Sequence, residues 1–183
     1  MLANWTYFID ANSGEVINKY DQTCTLVPSA SSTGSGTDLN GVSRVLQTSI
    51  RDGKQTLFDI SRLMYDAEGE EGAIITYDAL STSNRNEGFV TEIVSSNSSN
   101  FNNPAAVSAH YNAGIAYEYF LNVHGRNSIN GQGGTMHSVV NIANEDGSSM
   151  ENAFWNGAFI GYGNGGSKYK PLAGSLDVVG HEI

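Results

Sequence analysis

The chain is poor in several things that constrain what it can be. It has one cysteine, Cys24, in 183 residues, so an internal disulfide is excluded. A compact secreted fold without disulfides must then rest on its core or on metal ions. Thr23, Thr25 and Asp21 surround Cys24 with no basic residue close by, so nothing in sequence lowers its pKa toward reactivity. Basic residues are scarce too: nine Lys and Arg stand against nineteen Asp and Glu, for a net charge of −10 and a pI near 4.6. That argues against nucleic acid, whose phosphates need basic surfaces. It suits either a solubilising acidic surface or hard cations bound by carboxylate oxygens. There are two tryptophans and three prolines. No apolar run approaches the ~18 residues of a membrane span. Met1-Leu-Ala-Asn-Trp5 lacks the basic start and long apolar core of a signal peptide.

What is present reads as alternating strands and turns around one helix. Trp5 to Asp10 and Glu15 to Ile17 are strand-like around Asn12-Ser13-Gly14, the chemistry of a hairpin. Thr25 to Asn40 is rich in Ser, Thr and Gly and nearly uncharged, which is linker composition. Strands are expected at 45–48, 56–60, 73–77, 89–94, 136–142 and 153–162. The acidic stretch 66–72 reads as a solvated turn, and 95–103 as a loop. Residues 104–123 predict a helix, with Asn103 as cap, Pro104 at the first position and His124-Gly125 closing it.

The last residues, Asp177-Val-Val-Gly-His181-Glu182-Ile183, read as the front half of H-E-x-x-H. In that motif two His one helical turn apart hold zinc and the Glu acts as general base. Alone, a His-Glu pair at a terminus reads far more readily as a solvated surface pair. His110 falls on a mostly apolar helix face and reads as a hydrogen-bonded core histidine. His124 fits the helix end, and neither these nor His137 is assigned to metal.

Several stretches together resemble the thermolysin-like neutral metalloproteases, the bacillolysin family of secreted zinc endopeptidases. They are Ala109 to Gly114 (AHYNAG), Tyr117-Glu-Tyr119, His124 to Asn130 (HGRNSIN), Asn152 to Gly157 (NAFWNG), Tyr162-Gly163, Pro171 to Gly174 (PLAG) and Asp177 to Glu182 (DVVGHE). The resemblance implies an α+β fold: the N-terminal, β-rich lobe of such a zincin. Its sheet would be twisted and largely antiparallel, with a long helix near 104–123 and the start of the active-site helix at the C-terminus. It implies His181 as a ligand of catalytic Zn²⁺ and Glu182 as the base that takes a proton from the zinc-activated water. Asp177 matches a ligand of structural Ca²⁺; its alternative is the N-cap of the helix carrying His181. The family's other calcium loop corresponds to 95–100, which here lacks carboxylates and is not carried over. Asn152 and Ala153 match an edge strand that pairs with extended substrate. Phe154 and Trp155 would shape the cleft, with a core role for Phe154 equally open. Leu172 and Val178 would wall the apolar pocket after the scissile bond, or be ordinary core.

The same resemblance divides the chain into a propeptide tail (1–20), a linker and processing junction (21–34) and the catalytic lobe (35–183). It implies polypeptide substrates and the chain's own propeptide as partners, no nucleic acid or membrane, and secretion, with the signal peptide and most of the propeptide upstream. With one of the three protein ligands a catalytic zinc needs, residues 1–183 alone are expected to be inactive. The alternatives are a non-catalytic, secreted β-rich binding module or a truncated decoy.

Overall fold

A computed structural model describes residues 5–9, 16–21, 30–81, 90–96 and 99–183, with side chains from Ala30 onward. The turn at 12–14, Cys24, the 22–29 part of the linker and Phe89 lie outside the described residues. The elements run β1 (Trp5–Ile9), β2 (Val16–Asp21), β3 (Ala30–Thr37), β4 (Ser43–Arg51), β5 (Lys54–Thr56), β6 (Phe58–Asp59), β7 (Ile74–Asp78), β8 (Thr91–Glu92) and β9 (Asn100–Phe101). The helix α1 (Pro104–His124) follows, then β10 (Met136–Ile142), β11 (Ala153–Trp155), β12 (Ile160–Gly163), a 3₁₀ turn (Leu172–Gly174) and α2 (Leu176–Glu182).

β1 and β2 form an antiparallel hairpin. The rest makes two sheets, in the orders β5-β4-β3-β9 and β11-β12-β10-β7-β6, with β8 also on β7. Among the described residues six pairings are antiparallel and three parallel, so the α+β class with a largely antiparallel sheet holds. The larger sheet is parallel at its centre, where β10 lies between β7 and β12. Such strands are buried on both faces, which explains the nearly continuous apolar runs Ile74-Ile75 and Val139-Val140.

Three expectations need correction. Residues 30–37, read as linker, form an eight-residue strand. Its glycines are a packing device: a Cβ on Gly34 would sit 2.6 Å from the Phe101 ring, and one on Gly36 2.5 Å from Val107 Cγ2. Small residues chosen for close approach have the same composition as a flexible linker. The strand expected over 153–162 is a hairpin, β11 and β12, because Asn156 Oδ1 accepts the Ala158 and Phe159 N–H groups and turns the chain. The strand expected over 89–94 reduces to Thr91–Glu92 with a bridge at Val94.

α1 is the spine. Asn103 Oδ1 accepts the Ala106 N–H at 3.1 Å, Pro104 occupies the first turn, and Gly125 takes the left-handed conformation beyond the last turn. The helix touches β3, β4, β7, β10, the 3₁₀ turn and α2. Its first two-thirds are buried nearly all round, as expected of a helix inside a core rather than on a surface. Ala105, Ala106, Ala109, Ala113 and Ala116 let its neighbours approach closely, and Tyr117, Tyr162, Phe101 and Leu46 fill the spaces between. A second, smaller core of Ala79, Val139 and Ile142 covers the other face of the larger sheet.

Three polar side chains of α1 and its neighbours, His110, Asp59 and Arg62, are paired. His110 Nε2 donates to the Gln47 carbonyl of β4 at 2.7 Å. Its Nδ1 therefore accepts from Thr76 Oγ1 of β7 at 3.0 Å, so one neutral imidazole joins both sheets to α1, as a hydrogen-bonded core histidine should. Burial pushes its pKa below the ordinary value, with nearby Asp59 opposing and Arg62 reinforcing that shift. Asp59 holds Arg62 at 2.7 Å, and Arg62 reaches Glu118 of α1 at 2.8 Å.

Two predictions follow from this packing. Gly36→Ala is expected to destabilise the fold by about 1–3 kcal/mol through overpacking against Val107, read by chemical denaturation. Because the folded His110 pKa is depressed, the unfolded chain takes up a proton first as pH falls. Stability should be unaffected by this group above about pH 6.5 and decline below it, with a limiting slope of about 1.4 kcal/mol per pH unit. Urea titrations of the native chain and His110→Asn at pH 7.5 and 5.5 test this. An equal acid-induced loss in both would refute the assignment.

Candidate metalloprotease active site

The site is assembled where α2 passes the outer strand of the larger sheet. α2 follows the 3₁₀ turn Leu172–Gly174 after a single residue, Ser175, which occupies the cap position without a side-chain cap bond. Asp177 is thus not the N-cap: it lies in the first turn, where its negative charge suits the helix N-terminus. Val179 and Ile183, one turn apart, point into the main core. That fixes the rotation of the helix: Asp177 and His181 lie on its exposed side, and Val178 and Glu182 are half-buried.

β11 is the last strand of its sheet. The Asn152 carbonyl accepts the Gly163 N–H at 2.9 Å, and Ala153 faces Tyr162 in the ladder. Antiparallel strands turn alternate residues' hydrogen-bonding groups toward the partner. The Ala153 N–H and C=O therefore face the open edge, where an added strand would pair. Period-two alternation also separates the side chains. Ala153 packs on the main core, whereas the next residue, Phe154, packs on the smaller core across the sheet. The Phe154 ring stacks edge-on against Phe159 at 6.0 Å.

A cleft of about 410 Å³ brings together Asn152, Ala153, Leu172, Asp177, Val178, His181 and Glu182. These are seven of the nine residues singled out from the sequence. Trp155 is 40% exposed and does not line the cleft; Phe154 is core. A larger cavity of about 490 Å³ lies along the other side of Asp177 and His181, against Ile115, Tyr119, Phe120 and Leu176. It is mainly apolar and carries none of the strand-edge chemistry.

Two residues inside the quoted stretches carry roles that the sequence did not assign. Tyr162 lies fully buried across from Ala153. Burial first, and the charge of Glu182 second, push its phenol well above the ordinary value, so it is a neutral wall behind the carboxylate. Asn112 of α1 donates to the Ala173 carbonyl of the 3₁₀ turn at 2.9 Å. Its signal in sequence is a lone amide in the stripe Ala109, Ala113, Ala116.

For metal, His181 offers an exposed imidazole within the cleft and Asp177 a carboxylate one turn earlier. Among the described residues no three His, Cys, Asp or Glu side chains are gathered for an ion. His181 thus offers one donor of the kind zinc takes, and Asp177 one of the kind calcium takes. His110 is buried between the sheets, His124 contacts Tyr119 and Phe120 at the helix end, and His137 stacks on Tyr77.

The chain is similar in sequence to known proteins. A family profile described as thermolysin metallopeptidase, catalytic domain, matches residues 33–183. Bacillolysin of Bacillus amyloliquefaciens is 38% identical over 99% of this chain and 32% of its own length. Neutral protease B of Bacillus subtilis (strain 168) is 37% identical over 98% and 31%, and thermolysin of Bacillus sp. (strain EA1) 34% over 98% and 32%. The chain thus spans about a third of the length of these relatives. Among solved structures, a precursor of protealysin, the metalloproteinase from Serratia proteamaculans, aligns with a TM-score of 0.49 and 28% identity over 60% of this chain and 32% of that one. With the family pattern covering all but the first 32 residues and the cleft built from its motif residues, the chain belongs to the thermolysin metallopeptidase catalytic-domain family.

Proposed function

We propose that this lobe is part of a zinc-dependent endopeptidase and supplies the strand edge, the apolar wall and the general base of its active site. The observation that carries this reading is the convergence in one cleft of His181 and Glu182 from α2, Leu172 from the 3₁₀ turn, and the open edge of β11. Each part does something a peptide-bond hydrolase needs. The free Ala153 backbone groups and the Asn152 amide bind an extended peptide by strand addition, which tolerates many sequences. Leu172 and Val178 form an apolar wall that suits a bulky apolar residue on the leaving-group side. His181 holds zinc, which when bound supplies Lewis acidity and lowers the pKa of water. The Glu182 carboxylate, one residue on, takes the proton of the attacking water and passes it to the departing amine nitrogen.

The same reading makes Asp177 a calcium ligand and the β1–β2 hairpin a propeptide remnant, with a processing junction within 21–34, before β3 begins at Ala30. It also makes the enzyme a secreted one. No helix among the described residues is long and apolar enough to cross a membrane.

In the zinc-loaded enzyme, Glu182→Gln is expected to lower kcat on a peptide substrate by about 10²–10⁴-fold with zinc content unchanged; near-native turnover would remove Glu182 from the mechanism. Residues 1–183 by themselves, with His181 lacking companion donors, are expected to lose zinc on dialysis and to leave casein intact. Stoichiometric retained zinc together with casein cleavage would contradict the ligand assignment.

A further inference from the structure

We infer that Asn112, seconded by Asn40, is a positioning residue that sets the apolar wall of the cleft and with it the preference for the residue after the scissile bond. The inference rests on the endopeptidase reading above and extends it to two residues outside the cleft.

The wall residue Leu172 begins a 3₁₀ turn, and the other wall residue, Val178, is the third residue of α2. Between them lie Ala173 and Gly174, and two side-chain amides from distant parts of the chain hold the carbonyls there. Asn112, 8% exposed on α1, donates Nδ2–H to the Ala173 carbonyl at 2.9 Å in a fully buried bond. Asn40, in the β3–β4 loop, donates Nδ2–H to the Gly174 carbonyl at 3.2 Å.

That loop is tied to α1 as well. The Leu39 N–H donates to Ser108 Oγ at 2.9 Å, and the Asn40 N–H donates to Asp38 Oδ1 at 2.9 Å. Asp38 is fixed in turn by Arg44 at 2.7 Å. Leu39 also closes on Gly174, where a Cβ would come within 3.2 Å. Both routes lead from α1 to the junction of the turn and α2, and both act on backbone carbonyls. They set where the turn sits, not what its side chains are.

A buried amide in an alanine-lined stripe is costly unless bonded. Its partner here is the segment whose place fixes the gap between Leu172 and Val178. Losing the donor frees the turn to shift while His181 and Glu182 stay anchored through Val179 and Ile183 in the core. The size of the apolar pocket should change more than the chemistry.

The test measures kcat/KM of the zinc-loaded enzyme containing this lobe on two peptides that differ only in Leu or Ala after the scissile bond. The native enzyme should favour Leu by at least about tenfold, and Asn112→Ala should cut that ratio by about tenfold. Asn112→Asp, which keeps the shape and loses the donor, should do the same, and Asn40→Ala should cut it less. The ratio is independent of the amount of active protein, so partial unfolding cannot imitate the effect. If the Asn112 variants fail to fold, the exposed Asn40→Ala decides. An unchanged ratio in a variant that cleaves both peptides overturns the inference alone. A native holoenzyme that cleaves neither peptide overturns the endopeptidase reading, and the inference falls with it.

Discussion

The two sheets, the 3₁₀ turn and α2 are placed by close approach to one buried helix. α1 contacts both sheets, the 3₁₀ turn and α2. Such convergence requires small side chains on the helix and glycines on the strand that meets it. Alanines along α1 and Gly34 and Gly36 on β3 supply both. Interiors packed to crystal-like density transmit displacement rather than absorb it. The position of α1 is therefore also the position of the cleft.

Directional bonds complete what packing begins. His110 ties β4, β7 and α1 through its two ring nitrogens. Asp78, at the end of β7, accepts from Asn103 at the helix cap and from Asn141 on β10. Asn141 itself is in the left-handed region, at φ 58°, and sits where the β10–β12 register shifts. These bonds are buried or half-buried, where an unpaired partner would be costly. They give the packing a single register, and the two sheets cannot slide against each other without breaking them.

Much of this was legible in sequence. The helix over 104–123, its cap and its glycine stop follow from local chemistry that needs no tertiary partner. So do most strand centres. The half-motif His181-Glu182 was legible as residue types, as were Asn152 and Ala153. Other features were not. The strand 30–37 has the composition of a linker because glycine serves both flexibility and close packing. The break between β11 and β12 depends on an Asn156 side-chain turn inside a run of strand formers. The sequence leaves Phe154 open between cleft and core because strand alternation assigns faces only once the direction of one neighbour is known.

The sequence by itself determined most of the elements, the family pattern and the types of chemical group available: an imidazole, a carboxylate, an amide and an apolar wall. It did so because capping, turn chemistry and hydrophobic periodicity act over a few residues. The tertiary structure decided which of those groups share a cleft. It rotated α2 by burying Val179 and Ile183, turned the Ala153 backbone toward an open edge, and sent Phe154 to the opposite face. Those outcomes depend on contacts between segments far apart in the chain, such as the 61 residues separating Asn112 from Ala173. No local pattern encodes such a contact.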